Sequence, residues 1–265
     1  MQIQGANVLV TGGSRGIGEA LAREFAAQGA RVCVVARSAD ALDRVASDIG
    51  GFALVADLLD SGQVDSLRDH VEAEFGSVDI LVNNAGLDAT DAFLAADPDA
   101  LRNVVRLNLE TPVALTRSFL PGMVERGKGH LVFTSSLAGT AGFPSLATYC
   151  ATKAGLNNFA ATLRLELSST DIHTTLIAPG PVDTDMWDEL EATPYTADLL
   201  KRFRLLQTLP KTTPKKLAKR SVAAIAADRR HVRHPRRLSL NFWLSEAPRR
   251  INEAVLTGIK FDVPR

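Results

Sequence analysis

Apolar residues in this chain come as short, nearly unbroken blocks, separated by longer stretches in which they recur every three or four positions. Blocks of that kind read as buried strands, and the wider spacing reads as amphipathic helices. Asn7-Val8-Leu9-Val10, Val32-Cys33-Val34-Val35 and Ile80-Leu81-Val82 carry almost no charge, which predicts strands covered on both faces. On this pattern strands fall near 7–11, 31–36, 52–56, 79–83, 130–134 and 173–178. Helices fall near 16–28, 39–48, 61–75, 99–120 and 148–168, with Gly29 and Gly76 as C-terminal stops and Ser38 and Ser61 as N-caps. The alternation predicts an α/β fold: a doubly wound, mainly parallel sheet of Rossmann type with helices on both faces. Such sheets bind ligands at the carboxyl ends of their strands, so any chemistry is expected just after each apolar block.

The first of those ends reads Thr11-Gly12-Gly13-Ser14-Arg15-Gly16-Ile17-Gly18, between a strand and a helix. Glycines let backbone approach a pyrophosphate, and a helix N-terminus supplies N–H groups and a positive dipole end. Further along, Tyr149 and Lys153 in Tyr149-Cys150-Ala151-Thr152-Lys153 share one helix face. A cation held near ~4 Å would bring a phenol down from its ordinary pKa of about 10 toward working range.

Five motifs in this order resemble the short-chain dehydrogenase/reductase family. They are the wide-spaced Gly12, Gly16 and Gly18, Asn83-Asn84-Ala85-Gly86, Asn108 in Arg106-Leu107-Asn108-Leu109, Ser136 thirteen residues before Tyr149, and Pro179-Gly180-Pro181-Val182-Asp183-Thr184. The resemblance spans roughly residues 5 to 185. It implies a nicotinamide cofactor running past Gly12, Ser14, Arg15, Gly16, Ile17, Gly18, Asp57, Leu58, Asn84, Ala85, Gly86, Pro179, Gly180, Val182 and Thr184 to Tyr149 and Lys153. It also implies catalytic roles: Tyr149 as proton donor, Lys153 lowering its pKa and holding the nicotinamide ribose, Ser136 bonding the substrate oxygen, and Asn108 in a water-linked proton relay. Adjacent strand residues face opposite ways, so only one of Ser135 and Ser136 can face the cofactor; the family spacing selects Ser136. Asp57 has a second reading as a loop cap.

Cofactor choice turns on the end of the second strand. Ala36 leaves space where a carboxylate would repel a 2′-phosphate, and Arg37 offers a fork of donors, with Arg15 able to close on the same group. This points to NADP(H). The expected activity is hydride transfer between the nicotinamide and a carbonyl or secondary alcohol, with a non-redox lyase or epimerase, or an NADPH-binding sensor or scaffold, as alternatives. Asp185 to Leu190, Tyr195, Leu199, Leu200, Phe203, Leu205 and Leu206 form a large apolar lid. Together with Leu137, Phe143 and Leu146 they suggest a hydrophobic substrate.

Composition fits a soluble globular enzyme at 46% hydrophobic and 23% charged residues over 265 positions. The chain reads as one catalytic domain over 1–265, with a lid at 185–210 and a basic helical region at 211–265. Two cysteines give no disulfide framework, and no apolar run approaches a membrane span, so cytoplasm is the expected compartment. Cys150 reads as a packing residue, and His231 and His234 lack the further ligands that a metal site needs.

Net neutrality conceals an asymmetry: residues 201–265 hold 17 Lys/Arg against 4 Asp/Glu. The run from Lys215 to Ala227 reads as an amphipathic helix. A solvated basic face complementing the acidic body, peripheral contact with an anionic membrane surface, or an anionic substrate would account for the charge. No nucleic-acid motif accompanies it. The C-terminus lacks the family's Gly-Gly ending, so a homodimer through the helices near 99–120 and 148–168 is expected in place of a tetramer.

If Arg37 reads the 2′-phosphate, Arg37→Asp shifts preference toward NADH. The ratio of catalytic efficiencies with NADPH and NADH measures it, and an unchanged ratio removes the assignment.

Overall fold

A computed structural model describes residues 1–193, 196, 201, 210–234 and 247. Among these residues, seven parallel strands run in the order β3-β2-β1-β4-β5-β6-β7. They are β1 (Asn7–Thr11), β2 (Arg31–Ala36), β3 (Phe52–Val55), β4 (Ile80–Asn83), β5 (Gly129–Thr134), β6 (Ile172–Pro179) and β7 (His231–His234). Among the described residues the helices are α1 (Gly16–Ala27), α2 (Ala39–Ile49), α3 (Ser61–Glu74), α4 (Pro98–Val105), α5 (Thr111–Glu125), α6 (Ala147–Glu166), α7 (Asp185–Ala192) and α8 (Pro214–Ala226). The strand order reverses direction between β1 and β4, the point at which doubly wound sheets open a crevice.

Period-two alternation explains why both sheet faces are apolar. Val8 and Val10 face the layer formed with Leu21 and Phe25 of α1, Leu42 and Val45 of α2, and Leu217, Val222 and Ile225 of α8. Leu9 faces the opposite layer, with Leu67 of α3, Phe119 of α5 and Leu156 of α6. Each fully buried Leu or Phe contributes about 1.5–3 kcal/mol relative to exposure, so the two layers together hold the sheet.

Three expectations change. The helix expected over 99–120 is present but not uniformly α: α4 and α5 run on through a π-turn at Arg106–Glu110, with Asn108 fully buried inside it. The cause is Pro112, which has no N–H for the carbonyl four residues back, the carbonyl of Asn108. The N-cap of α3 is Asp60, whose carboxylate accepts from the N–H groups of Gly62 and Gln63, because Ser61 is already the first helical residue. Ser38 does precede α2, but its hydroxyl makes no capping bond.

The histidine pair belongs to a seventh strand that the basic composition concealed. His231–His234 pairs with β6, matching Leu176 to His231 and Pro179 to His234. The His234 ring accepts from Arg220 at 2.6 Å through Nδ1, so Nε2 carries the proton and donates to Thr212 at 2.7 Å. The basic helix expected from Lys215 is α8. Its apolar side is buried, while Lys215, Lys216 and Lys219 are exposed. Of the expected lid, Tyr195, Leu199, Leu200, Phe203, Leu205 and Leu206 lie outside the described residues, as does the basic run after His234. No helix among the described residues is long and apolar enough to cross a membrane.

Because Leu217 is fully buried in the α1–α8 layer, Leu217→Ala should lower unfolding stability by about 2–5 kcal/mol in urea titration. The exposed Lys219→Ala should stay within about 0.5 kcal/mol. Equal effects would mean that α8 is not part of the core.

Candidate active site

The glycine loop is held against the segment after β4 by one hydroxyl. Thr11 Oγ1 donates to the Val82 carbonyl at 3.1 Å and accepts from the N–H groups of Asn84 and Ala85 at 2.9 and 3.1 Å. Asn84 Nδ2 returns a bond to the Thr11 carbonyl at 3.1 Å. The approach is so close that a Cβ on Gly18 would lie 2.0 Å from the Gly12 carbonyl oxygen. Gly12 itself sits at φ +66°, where its own Cβ would meet the Ala85 backbone at 2.9 Å. Arg15 occupies the N-cap of α1 without a side-chain capping bond, so no side chain of that residue takes up the first-turn N–H groups.

The strand ends open onto one cavity of about 1020 Å³. On the β1–β2–β3 half its wall includes Gly12, Ser14, Arg15, Gly16, Ile17, Gly18, Arg37, Asp57 and Leu58. On the β4–β5–β6 half it includes Asn84, Ala85, Gly86, Ser136, Tyr149, Lys153, Pro179, Gly180, Val182 and Thr184. A glycine cradle, an uncapped helix N-terminus and an arginine-bearing rim together form a donor set that fits a dinucleotide phosphate.

Asn108 is the exception and stands behind the wall. Its amide clamps the next backbone unit, with Oδ1 accepting from Leu87 N–H at 2.8 Å and Nδ2 donating to the Leu87 carbonyl at 2.7 Å. A Cβ on Gly86 would come within 3.0 Å of Asn108 Oδ1 and 3.5 Å of Lys153 Nζ, so glycine alone lets the three groups converge.

The two serines after β5 part as strand alternation requires. Ser135 is buried and donates to Asn157 Oδ1 at 2.5 Å and to the Lys153 carbonyl at 3.3 Å, tying β5 to α6. Ser136 lines the cavity, and its hydroxyl accepts from Ala138 N–H at 3.1 Å.

Lys153 is buried, and Nζ donates to the Thr134 carbonyl at 3.0 Å. Burial lowers its pKa to about 8. Tyr149 does not show the lowered pKa expected from its neighbour. Burial pushes the phenol up to about 12, a hydrogen bond with Ser136 opposes the rise, and the Asp88 charge adds to it. The geometry explains this, since Nζ lies over the face of the Tyr149 ring, 5.6 Å from its centroid, and is already bonded to a carbonyl.

Other groups sit where chain position alone did not show them. Arg44 of α2 joins Arg37 and Ser38 on the exposed rim, seven residues after Arg37 in sequence. Arg15 is paired with Asp185, the first residue of α7, at 2.9 Å across the cavity mouth. Lys211 faces Asp183 at 3.0 Å and Asp188 and Glu191 at 3.7 and 3.8 Å, tethering the same helix. Asp57 does cap its turn, with Oδ1 accepting from Leu59 N–H at 3.0 Å, while still lining the cavity. Cys150 is half-buried, and burial raises its thiol pKa.

A family profile described as short chain dehydrogenase matches residues 6–194. This chain belongs to that family. Among short-chain dehydrogenase relatives, the 3-oxoacyl-[acyl-carrier-protein] reductase of Escherichia coli is 35% identical over 188 residues, covering 70% of this chain and 77% of the relative. A Drosophila melanogaster dehydrogenase/reductase SDR family protein 7-like is 32% identical, covering 92% of this chain and 80% of its own. A metagenomic short-chain oxidoreductase solved in complex with NADP superposes with TM-score 0.71 at 30% identity, covering 88% of this chain and 98% of that one. A short-chain dehydrogenase from Streptomyces avermitilis gives 0.79 at 29% identity, covering 97% and 99%. As a short-chain dehydrogenase the protein is an oxidoreductase that works with a nicotinamide dinucleotide on a small-molecule substrate.

The serines give a direct check. Ser136→Ala should lower kcat by about 10²–10³-fold with little change in Tm. Ser135→Ala leaves Asn157 Oδ1 without its donor and should cost about 1–3 kcal/mol of stability with kcat largely kept. The reverse pattern would exchange their roles.

Proposed function

We propose that this protein is an NADP(H)-dependent carbonyl reductase or secondary-alcohol dehydrogenase acting on a largely apolar substrate. One observation carries the reading: Ser136, Tyr149 and Lys153 line the same cavity as the glycine loop and the arginine rim. Arg37 and Arg44 on that rim, with no carboxylate at position 36, favour a cofactor bearing a 2′-phosphate. The relative solved with NADP supports the same choice. When bound, the nicotinamide supplies or accepts hydride.

The chain's own residues supply the proton and hold the reacting oxygen. A phenol pushed up to about 12 is fully protonated at neutral pH, which suits donation to a carbonyl oxygen as charge develops there. It remains a stronger acid than the alcohol its proton creates, so the transfer runs downhill. Ser136 bonds the same oxygen and stabilises its developing charge. Lys153, charged below about pH 8, places a positive charge beneath the tyrosine ring and supports the tyrosinate left behind. Asn108 positions Gly86 and Leu87 at the cavity wall through its clamp on the Leu87 backbone. Leu137, Phe143, Leu146, Met186, Trp187 and Leu190 give the substrate side its apolar wall. A homodimer through α4, α5 and α6 completes the proposal.

Tyr149→Phe should abolish NADPH-dependent reduction across a carbonyl panel, with a loss of at least about 10²–10⁴-fold. The pH dependence has a definite sign. Lys153 carries its charge below about 8 and loses it above, so kcat/KM for reduction holds at neutral pH and falls as pH rises through about 8. Retained turnover in Tyr149→Phe, or cofactor binding with no turnover of any carbonyl, would remove the reading.

A further inference from the structure

The glycine loop, the rim and the Ser136–Tyr149–Lys153 group leave one cavity residue unexplained. Asp88 lies two residues past Gly86 on the loop after β4 and lines the cavity. Its Oδ2 atom is buried and has no hydrogen-bond partner among the described residues. A carboxylate oxygen withdrawn from water without a donor is costly, and a chain that only needed to fill this wall would use an apolar residue.

Two further observations say what the missing partner is. Burial, and after it the negative charge of Glu189 on α7, raises the Asp88 pKa to about 6, against a hydrogen bond from the residue's own backbone N–H. No cationic group among the described residues contributes a compensating effect. The loop and the lid helix are joined by the Thr90–Thr193 hydroxyl pair at 3.2 Å, which keeps the Asp88 loop against the end of the helix that carries Glu189. Asp88 is also within electrostatic reach of the reacting group, since its charge acts on Tyr149. A neutral hydroxyl would satisfy one oxygen and leave two carboxylates opposed. A cation at the cavity side of the carboxylate would offset its buried charge and relieve the repulsion as well.

We propose that Asp88 is a substrate-selecting residue, and that the preferred carbonyl or alcohol is an otherwise apolar compound carrying a protonated amine. The amine would bond the Asp88 carboxylate from the cavity side while the reacting oxygen meets Ser136 and Tyr149. Leu137, Phe143, Leu146, Trp187 and Leu190 would enclose the apolar remainder. This rests on the carbonyl-reductase reading, so the test includes a binding measurement that needs no turnover.

Titration calorimetry on the NADPH-saturated enzyme would compare phenylpropylamine with phenylpropanol. The amine should bind about tenfold or more tightly. The preference should fall to about one in Asp88→Asn, persist in Asp88→Glu, and weaken in Glu189→Gln. In steady-state kinetics, an amino-substituted phenyl ketone should show the same ratio of kcat/KM over its unsubstituted parent, lost in Asp88→Asn. Equal binding of amine and alcohol by the unmodified enzyme, tighter binding of the alcohol, or an amine preference that survives in Asp88→Asn overturns the proposal. A panel without any carbonyl turnover would remove the reductase reading, while the calorimetric ratio would still decide the role of Asp88.

Discussion

The buried ammonium of Lys153, held 3.0 Å from the Thr134 carbonyl at the end of β5, is the contact on which the site depends. Burying an ammonium costs several kcal/mol unless it is bonded, so this contact must be retained for α6 to pack where it does. With Lys153 fixed, helix geometry places Tyr149 one turn earlier on the same face, over the cavity. The adjoining bonds of Ser135 to Asn157 and to the Lys153 carbonyl fix α6 a second time and leave Ser136 turned outward. Three side chains of the proposed chemistry thus follow from one strand end meeting one helix.

The same burial sets the electrostatics. Lys153 is brought down and Tyr149 is pushed up because both lie against protein on most sides. In this geometry the lysine acts from beneath the ring, and Ser136 is the group that touches the phenol's acidity most directly. The phenol is therefore kept protonated by the site, as the proposed donation to a carbonyl oxygen requires. On the opposite side of the crevice the reasoning is steric: Gly12 and Gly18 allow the loop to lie so close to Asn84 that the helix N-terminus faces the cavity.

Much of this was legible in the sequence because apolar blocks and glycine spacings are local signals. The first six strands and the alternation of strands with helices follow from period and composition alone, and Ser136 could be told from Ser135 by spacing and alternation. Asn108 was located, although the turn that exposes its role was not. Its cause was nonetheless written four residues downstream in Pro112, which removes the helical partner of the Asn108 carbonyl. β7 was hidden because His231-Val232-Arg233-His234 looks solvated, yet its polar ends are taken up by residues distant in sequence, such as Thr212. Arg44 and Asp88 were missed for a related reason: a single charge on a helix or loop has no pattern until the fold shows which wall it faces.

The central claim is that Tyr149 and Ser136 handle the oxygen of a carbonyl while hydride passes between the nicotinamide and the carbon. The most direct measurement uses NADPH deuterated at the transferable nicotinamide position, with the alcohol product analysed by mass spectrometry. One deuterium should appear on the carbinol carbon per NADPH consumed, and none there when the label is supplied only by heavy water. Product formed without that label, or formed without consumption of NADPH, would contradict it.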